Sequence, residues 1–348
     1  MAWTSRVRAR TCPATRALAR ARMSSPAPRR VVVTIPVYDD WESLAVLLER
    51  LDAVAAAEHW TCSVLAVDDG SADPDGAQRL VRPFRALASI EVLRLARNLG
   101  HQRAIAIGLT FLHQERAGEV VVVMDGDGED RPEDVPALLA EFDRQAGRRV
   151  IFAQRARRSE GLAFRAGYLA YRALHWMLTG VAVRVGNFSV LPFDRLATFV
   201  VLSEAWNHYA AAVFKARIPY AMVPIGRGTR IGGKSHMSFV SLAAHGLSAI
   251  SVFGDLVGVR LLLASLGVFG VCVIAPVAAW IASRWDGFEL PDWAGLWTAA
   301  AILLCAQILV AACALTFFIL SGRNNLSFLP VRDYRYFVAN VAQVFKRG

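Results

Sequence analysis

The sequence predicts an α/β fold with a mostly parallel sheet, followed by a two-helix transmembrane hairpin. Three observations support this prediction. Runs of apolar, mostly β-branched residues alternate with helical segments in the first part of the chain, which is the pattern of parallel strands joined by helices. Acidic residues follow three of these runs. Two long apolar stretches without charged residues lie near the carboxyl end.

The basic charge of the chain is concentrated at its amino end. The formal net charge is +10 over 348 residues, but residues 1–30 contain eight arginines and no acidic residue. The rest of the chain is therefore close to neutral, which argues against a nucleic-acid-binding surface. Residues 1–29 are predicted to be a disordered basic arm or a targeting segment, and a translation start at Met23 is a third interpretation.

The predicted strands are short and are separated by helices or turns. They are Val31–Ile35 (ended by Pro36), Val64–Val67, Ile90–Leu95, Val120–Val123, a strand from Val150, and a short strand at Asn187–Leu191. The predicted helices cover about residues 41–58, a segment after Pro74, a segment ending near Gln114, a segment after Pro132, and residues 162–178.

Pairs of carboxylates follow three of the strands. They are Asp39 and Asp40, Asp68 and Asp69, and Asp125 and Asp127. The carboxyl ends of parallel strands meet at one edge of a sheet, where ligands bind. Two carboxylates one residue apart repel each other, and a divalent cation relieves this repulsion. A solvated acidic turn or a helix cap is the simpler interpretation of any one pair, but three pairs at one edge indicate a site.

Two stretches are suited to binding phosphate. Arg155 and Arg157 follow the strand from Val150, and residues 224–236 combine glycines with Arg227, Arg230 and Lys234. Guanidinium groups and exposed backbone N–H groups bind phosphate oxygens. A merely solvated basic loop is the alternative. No Gly-x-Gly-x-x-Gly follows the first strand and no Walker A sequence is present, so neither of these nucleotide sites is predicted.

The carboxyl-terminal part is predicted to bind and cross a membrane. Residues 239–255 form an amphipathic, interfacial helix, and the hairpin at 256–322 spans the bilayer at about 261–282 and 293–321, each longer than the roughly 20 residues required. The connector is net acidic, whereas the flanks and the tail at 323–348 are basic. The positive-inside rule therefore predicts that the α/β domain and the tail are cytoplasmic.

Taken together, these motifs resemble those of family 2 glycosyltransferases with the GT-A fold. The resemblance is to the polyprenyl-phosphate glycosyltransferases related to dolichyl-phosphate mannose synthase. The matching segments are Ile35-Pro-Val-Tyr38, Val67-Asp-Asp-Gly-Ser71, Asn98-Leu-Gly-His101, Asp125-Gly-Asp127 with Asp130-Arg-Pro-Glu133, and Gly232-Gly-Lys-Ser235. The match runs from about residue 30 to 322, with residues 30–238 as the Rossmann-like GT-A domain.

The sequence departs from the family pattern in two places. Asp39-Asp40 replaces the usual Asn-Glu, and Lys234 and Ser235 stand in the reverse of the usual order. The Gln-x-x-Arg-Trp motif of processive polysaccharide synthases is absent, which argues against a polymerase.

The resemblance implies a membrane-bound, metal-dependent, inverting enzyme. It would move one sugar from a UDP- or GDP-linked donor to a polyprenyl phosphate (undecaprenyl or dolichyl), with Mg²⁺ or Mn²⁺ at Asp125 and Asp127. The residues implied to bind the nucleotide sugar are Pro36, Tyr38, Asp40, Asp68, Asp69, Asp125 and Gln154. The residues implied to act in catalysis are Asp127, Arg155, Arg157 and Lys234. Those implied to bind the diphosphate or the lipid phosphate are Arg227, Arg230 and Ser235. A homo-oligomer remains open, as do a lipid or protein hydroxyl acceptor and a catalytically silent scaffold or translocation partner.

Overall fold

The computed structural model describes residues 28–73, 75–155, 162–181, 185–226, 228–232, 239–286, 291, 293–322 and 328–347. Within these residues an eight-stranded sheet carries helices on both of its faces. The strand order is β7-β5-β6-β4-β1-β2-β3-β8. The strands are β1 (Arg30–Val37), β2 (Thr61–Asp68), β3 (Leu87–Leu95), β4 (Val120–Val123), β5 (Val150–Arg155), β6 (Ser189–Pro192), β7 (Tyr220–Ile225) and β8 (Val338–Lys346).

The sheet is mixed but mostly parallel. β1 pairs in parallel with β2 and with β4, β2 pairs in parallel with β3, and β5 with β7. Among the described strands, β6 and β8 run against their neighbours. The carboxyl ends of β1, β2 and β4 therefore lie side by side, as the sequence predicts. The structure confirms the predicted fold class.

The helices of the α/β domain protect both faces of the sheet. They are α1 (Trp41–Ala57), α2 (His101–Glu115), α3 (Val135–Arg144), α4 (Leu162–Thr179), α5 (Leu196–Phe199) and α6 (Tyr209–Lys215). Leucines of α1 and α3 are buried in the core on one face. Apolar side chains of α2, α5 and α6 are buried in the core on the other face. Burial of the all-valine strand β4 on both sides follows from this arrangement.

Two details of the predicted strands and helices differ from the structure. Pro36 lies inside β1, opposite Val67 of β2, and does not end the strand. Proline is tolerated here because the pairing of β1 with β4 stops at Thr34. Pro36 has no N–H group, but no carbonyl of β4 lies opposite it and needs that donor. After Pro74 the chain forms only a short 3₁₀ turn, Gly76–Leu80.

Three helices follow the α/β domain, and the second and third of them form the apolar hairpin. They are α7 (Phe239–Ser251), α8 (Gly254–Asp286) and α9 (Trp293–Gly322). The segments Gly254–Trp285 and Trp293–Leu320 are long and apolar enough to cross a membrane, by length and composition, and most of their surface is exposed. The first begins earlier than the predicted span and continues through Pro276.

Polar contacts attach this hairpin to the domain. The Lys215 Nζ atom of α6 lies 3.4 Å from the Asp255 carboxylate at the start of α8. The Arg260 guanidinium of α8 donates to the Met177 carbonyl near the end of α4 at 3.0 Å. The apolar hairpin therefore emerges beside α4 and α6, and its position relative to the sheet is fixed by side chains of both parts.

The carboxyl-terminal segment adds a strand that was not predicted from sequence. The hairpin is followed by α10 (Pro330–Asp333) and by β8, which pairs antiparallel with β3. Part of the predicted basic tail is thus an edge strand of the sheet.

Candidate active site

The carboxyl ends of β1, β2 and β4 bring together the three acidic pairs. We call this part of the sheet the acidic edge. β4 ends at Val123, and Met124 continues the ladder by donating its N–H to the Thr34 carbonyl at 3.2 Å. Asp125 follows at once, with a side chain that is 24% exposed. Its backbone N–H donates to the carboxylate of the buried Asp130 at 3.0 Å. The strand ends just before Asp125, and the hydrogen bond to the buried Asp130 fixes the Asp125 backbone. The Asp125 carboxylate is therefore held at the carboxyl end of β4.

His101 contacts Asp125 from the neighbouring loop. It is the first residue of α2, and its Nε2 atom lies 3.0 Å from Asp125 Oδ1. The Asn187 side-chain amide lies 2.9 Å from the same nitrogen, and Gln102 Nε2 donates to Asn187 Oδ1 at 3.1 Å. Gln102 Oε1 in turn accepts the Tyr209 N–H at 2.7 Å. A polar network that is buried at Gln102 and Asn187 thus links the acidic edge to the start of α6.

Asp127 is held against a second loop. Arg230 Nη2 lies 2.6 Å from Asp127 Oδ2, and the Ile231 N–H donates to the Asp127 carbonyl at 2.9 Å. Gly128 adopts φ +85°, and a side chain on it would stand 2.4 Å from Ile231. Only glycine therefore allows the loop that carries Arg230 to pack this closely on the acidic turn.

The electrostatics of the edge reflect crowded negative charge. Burial raises the pKa of Asp127, and repulsion from Asp125 and Glu129 adds to the shift against the opposing effect of the Glu129 N–H and Arg230. Desolvation lowers the pKa of His101, but the nearby Asp125, Asp130 and Asp127 outweigh it and raise the pKa overall. The site therefore attracts positive charge.

The ends of β1 and β2 form a second, hydrogen-bonded part of the edge. Both oxygens of the buried Asp69 accept backbone N–H groups, from Leu99 at 2.7 Å and Gly100 at 2.8 Å. Asp68 accepts the Ser71 N–H at 2.8 Å, and its carboxylate lies 3.5 Å from Arg94. These carboxylates order the loops at the edge, including the one that presents His101, and their roles with a nucleotide remain predictions.

The other predicted nucleotide residues lie along the same sheet. Tyr38 is exposed at the end of β1 and Asp40 precedes α1, whereas Gln154 lies at the end of β5, two strands away from β4. The side chain of Arg155 and the whole of Arg157, Arg227, Lys234 and Ser235 lie outside the described residues. Arg230 is thus the predicted phosphate ligand that the structure brings to Asp127.

Several residues of this edge were not predicted from sequence. His101 stood only as the last letter of a motif, and Asn187 only as the start of a strand. Each residue can be assigned to the site only from a contact between distant parts of the chain. His101 contacts Asp125, and Asn187 contacts His101. Asp130 was part of the metal motif, and its complete burial identifies it as the anchor of Asp125.

Asp125 and Asp127 are suited to a divalent cation. Their oxygens are the hard ligands that Mg²⁺ and Mn²⁺ take, and the mutual repulsion that helps to raise the pKa of Asp127 would be relieved by a cation. In the part of the chain that the structure describes, no cluster of three or more His, Cys, Asp or Glu side chains has metal-binding geometry. A cation held by the two aspartates would therefore need further ligands, such as the oxygens of a bound phosphate compound.

Comparison with known proteins identifies the domain that carries this edge. Residues 32–196 match the family model described as "Glycosyl transferase family 2". The chain carries a glycosyltransferase family 2 domain. This confirms the family inferred from the motifs. The matched region contains every acidic pair of the edge, whereas Arg230 and the apolar helices lie outside it.

Curated relatives of the family 2 domain include undecaprenyl-phosphate 4-deoxy-4-formamido-L-arabinose transferases. The protein of this name from Klebsiella pneumoniae subsp. pneumoniae is 34% identical over 122 residues, 35% of this chain and 36% of the relative. The one from Salmonella paratyphi A is 31% identical over 115 residues, 33% of this chain and 34% of the relative. The chain thus aligns with about a third of the length of these relatives.

Among solved structures, two synthases of phosphoglycerate glycosides are similar to this chain. Glucosyl-3-phosphoglycerate synthase from Mycobacterium tuberculosis, solved with Mn²⁺, uridine-diphosphate-glucose and phosphoglyceric acid, has a TM-score of 0.47 at 16% identity, covering 72% of this chain and 86% of its own. Mannosyl-3-phosphoglycerate synthase from Rubrobacter xylanophilus has a TM-score of 0.46 at 16% identity, covering 64% and 72%.

A group of histidines lies between the family 2 domain and the helices that lead to the hairpin. His208 is buried and caps α6, where its Nδ1 accepts the Ala211 N–H at 3.4 Å. Its ring lies 4.8 Å from that of His245 on α7. Burial, together with the nearby His245, His175 and His101, lowers the pKa of His208 to about 3. His208 is therefore neutral in the folded protein at physiological pH.

This burial predicts a loss of stability in mild acid. The unfolded chain protonates His208 near its ordinary pKa of about 6.5, whereas the folded chain resists protonation until about pH 3. The stabilising contribution is thus complete above pH 6.5 and is lost as the pH falls. At pH 5 we expect it to have decreased by about 2 kcal/mol.

The His208→Asn variant isolates this effect, because Asn caps helices well and does not titrate. Thermal unfolding of the detergent-solubilised protein between pH 7 and pH 5 should show a shallower pH dependence in the variant than in the wild type. Since His175 and His245 also have lowered pKa values, some dependence should remain. Equal slopes in the two proteins would contradict the account.

Proposed function

We propose that this chain is a membrane-bound, inverting glycosyltransferase that moves one sugar from a nucleotide sugar to a polyprenyl phosphate. The observation that carries the proposal is the pairing of Asp127 with Arg230 beside Asp125, at the carboxyl edge of a family 2 domain attached to two apolar helices. Such an edge combines groups for a cation and for a diphosphate at a membrane surface.

The charges of the edge suit the leaving group. When bound to Asp125 and Asp127, Mg²⁺ or Mn²⁺ would supply electrostatic stabilisation of the departing nucleoside diphosphate. Arg230, 2.6 Å from Asp127, is placed to share the diphosphate oxygens as negative charge develops on them. The His101 ring, whose Nε2 atom lies 3.0 Å from Asp125 Oδ1, helps to hold that carboxylate in place.

A phosphate monoester acceptor would need no general base from the protein. The second pKa of such a phosphate is about 6, so the acceptor is largely a dianion at pH 7 and can attack without losing a proton. One acceptor oxygen forms a bond to the anomeric carbon, the bond from that carbon to the diphosphate oxygen breaks, and the electron pair leaves with the nucleoside diphosphate. A single displacement of this kind inverts the anomeric centre.

The proposed lipid acceptor is supported by the apolar helices and by the curated relatives. Helices α8 and α9 are long enough to span it, and the curated relatives are named for undecaprenyl phosphate. The acidic connector between the spans and the basic residues around them favour a cytoplasmic domain. An alcohol acceptor is the competing possibility, and it would require a base to deprotonate the hydroxyl.

The deciding experiment compares acceptors that differ only in the phosphate. The purified full-length protein would be incubated with Mg²⁺, a panel of UDP- and GDP-sugars, and either polyprenyl phosphate or polyprenol. We expect a product whose mass equals polyprenyl phosphate plus one sugar residue. Product from polyprenol alone, or product that carries a chain of sugars, would contradict the proposal, and the absence of both products would support a silent scaffold.

A further inference from the structure

His245 is a histidine of α7 that none of the acidic or basic motifs includes. It lies outside the matched family 2 region, one side of it is exposed, and its ring stacks on that of the buried His208 with an interplanar angle of 39°. Only two residues separate α7 from α8, because α7 ends at Ser251 and α8 begins at Gly254. His245 therefore stands between the domain and the first apolar helix.

The orientation of α7 is fixed close to this residue. The Tyr171 hydroxyl of α4 donates to the Gly246 carbonyl at 3.2 Å. A Cβ atom at Gly246 would lie 2.9 Å from the Tyr171 ring, so the glycine permits the close approach of the two helices. With Gly246 against α4 and His245 against His208, the helix cannot rotate without losing both contacts.

Charges of the acidic edge affect the pKa of His245. Desolvation by the groups packed around the ring lowers its pKa, the nearby His101 contributes in the same direction, and the negative charge of Asp125 opposes them. A chain of contacts links the ring to the edge. His245 stacks on His208, the next residue Tyr209 donates its N–H to Gln102 Oε1 at 2.7 Å, and His101 beside Gln102 contacts Asp125. A permanently charged lysine or arginine in this place would be attracted to Asp125 and compete with a cation for it.

A lipid phosphate that approaches the edge from the membrane meets unfavourable charge. Asp125 and Asp127 repel a dianion, and Arg230 is engaged with Asp127. Among the described residues, an N–H donor on the membrane side that does not compete for the aspartates would favour binding of the incoming phosphate. An imidazole N–H group provides such a donor.

We propose that His245 binds the phosphate of the acceptor, a phosphate monoester carried by a lipid, on the membrane side of the acidic edge. This proposal rests on the proposed function, because it concerns the second substrate of the same site. His208 supports the ring of His245 through their stacking contact. The donor sugar and its diphosphate are not predicted to contact His245.

The test uses the His245→Phe variant, which keeps a ring to stack on His208 but has no N–H group. We expect the KM for polyprenyl phosphate to rise by about ten- to a hundredfold, as for the loss of a hydrogen bond to a charged group. The KM for the nucleotide sugar and the thermal unfolding temperature should stay within about twofold and about 2 °C of the wild type. His245→Gln, which retains an N–H donor, should fall between the two.

His113→Phe is the matched control, because His113 lies near the opposite end of α2 from the acidic edge. A second readout avoids turnover and measures binding of farnesyl phosphate and of farnesol to the full-length protein in detergent. Weaker binding of farnesyl phosphate by His245→Phe, with unchanged binding of farnesol, supports the proposal. Unchanged binding of both ligands, or a matching loss of donor affinity and stability, would overturn it.

The two proposals can fail separately. Transfer by the wild type to polyprenol alone would contradict the proposed function, and the farnesyl phosphate measurement would still decide whether His245 binds phosphate. Normal transfer to polyprenyl phosphate by the wild type and by His245→Phe, with equal acceptor KM, would remove only the role of His245.

Discussion

Replacing Asp127 with Asn is expected to lower sugar transfer by about a thousandfold or more while leaving membrane insertion intact. The amide introduced by this change has almost the same shape as the carboxylate but carries no charge, so it would not bind a divalent cation as a carboxylate does. The variant would also lose the ion pair with Arg230, which spans 2.6 Å. The measurement is the rate of glycolipid formation by membranes that contain equal amounts of each protein.

Asp143→Asn is the matched control for this experiment. Asp143 is an exposed residue of α3 that pairs with Arg29. Its replacement removes the same charge from the chain, and it should leave transfer within about twofold of the wild type because exposed ion pairs contribute about 0–1 kcal/mol. Transfer by Asp127→Asn at a rate close to that of Asp143→Asn would contradict the role given to the acidic pair.

Replacing Arg230 with Ala is expected to lower kcat by about a hundredfold. The guanidinium group contacts Asp127 in this structure and would contact the diphosphate when the donor is bound. Because its charge is most valuable as the leaving group separates, kcat should fall more than the donor KM rises. Arg230→Lys should recover part of the rate, since an ammonium group keeps the charge but not the two-pronged geometry.

Arg144→Ala is the control for the loss of an arginine. Arg144 pairs with Glu141 on the outside of α3, and its side chain is 70% exposed. Wild-type kcat in Arg144→Ala together with a large loss in Arg230→Ala would assign the effect to the site. If Arg230→Ala turned over as fast as the wild type, the loop around Arg230 would have no part in the reaction.

The acidic edge could be predicted from sequence because its determinants are local. Val120–Val123 forms β4 with the bounds that the run of valines indicates, and Asp125 and Asp127 follow directly. The parallel pairing of β1, β2 and β4 then places three such loops together. Burial of β-branched residues and the fixed direction of parallel strands were sufficient for this part of the fold.

The parts of the structure that were not predicted depend on partners far along the chain. β8 contains alanine, asparagine and glutamine among its valines, so its pattern is weak, and it forms because β3 offers an edge on which it can pair. His101 is recognised as part of the site only because it contacts Asp125. Asn187 is recognised only because it contacts His101, which lies 86 residues away in the chain. No periodicity or spacing reports contacts of this kind.

The pairing of His208 with His245 is a similar case. His208 lies at the start of a short helix and His245 in an amphipathic one, so each taken alone suggests ordinary packing. The close packing of α4 against α7 at Gly246 brings the two rings together near the acidic edge.

The most direct test of the central claim is the binding of nucleoside diphosphate with and without a divalent cation. Equilibrium binding of UDP and GDP to the purified full-length protein would be measured in Mg²⁺ and in excess chelator, for the wild type and Asp127→Asn. We predict that the wild type binds one of the nucleotides at least about tenfold more tightly in Mg²⁺ and that the variant shows no such gain. Equal affinity in Mg²⁺ and chelator for the wild type would contradict a cation held by Asp125 and Asp127.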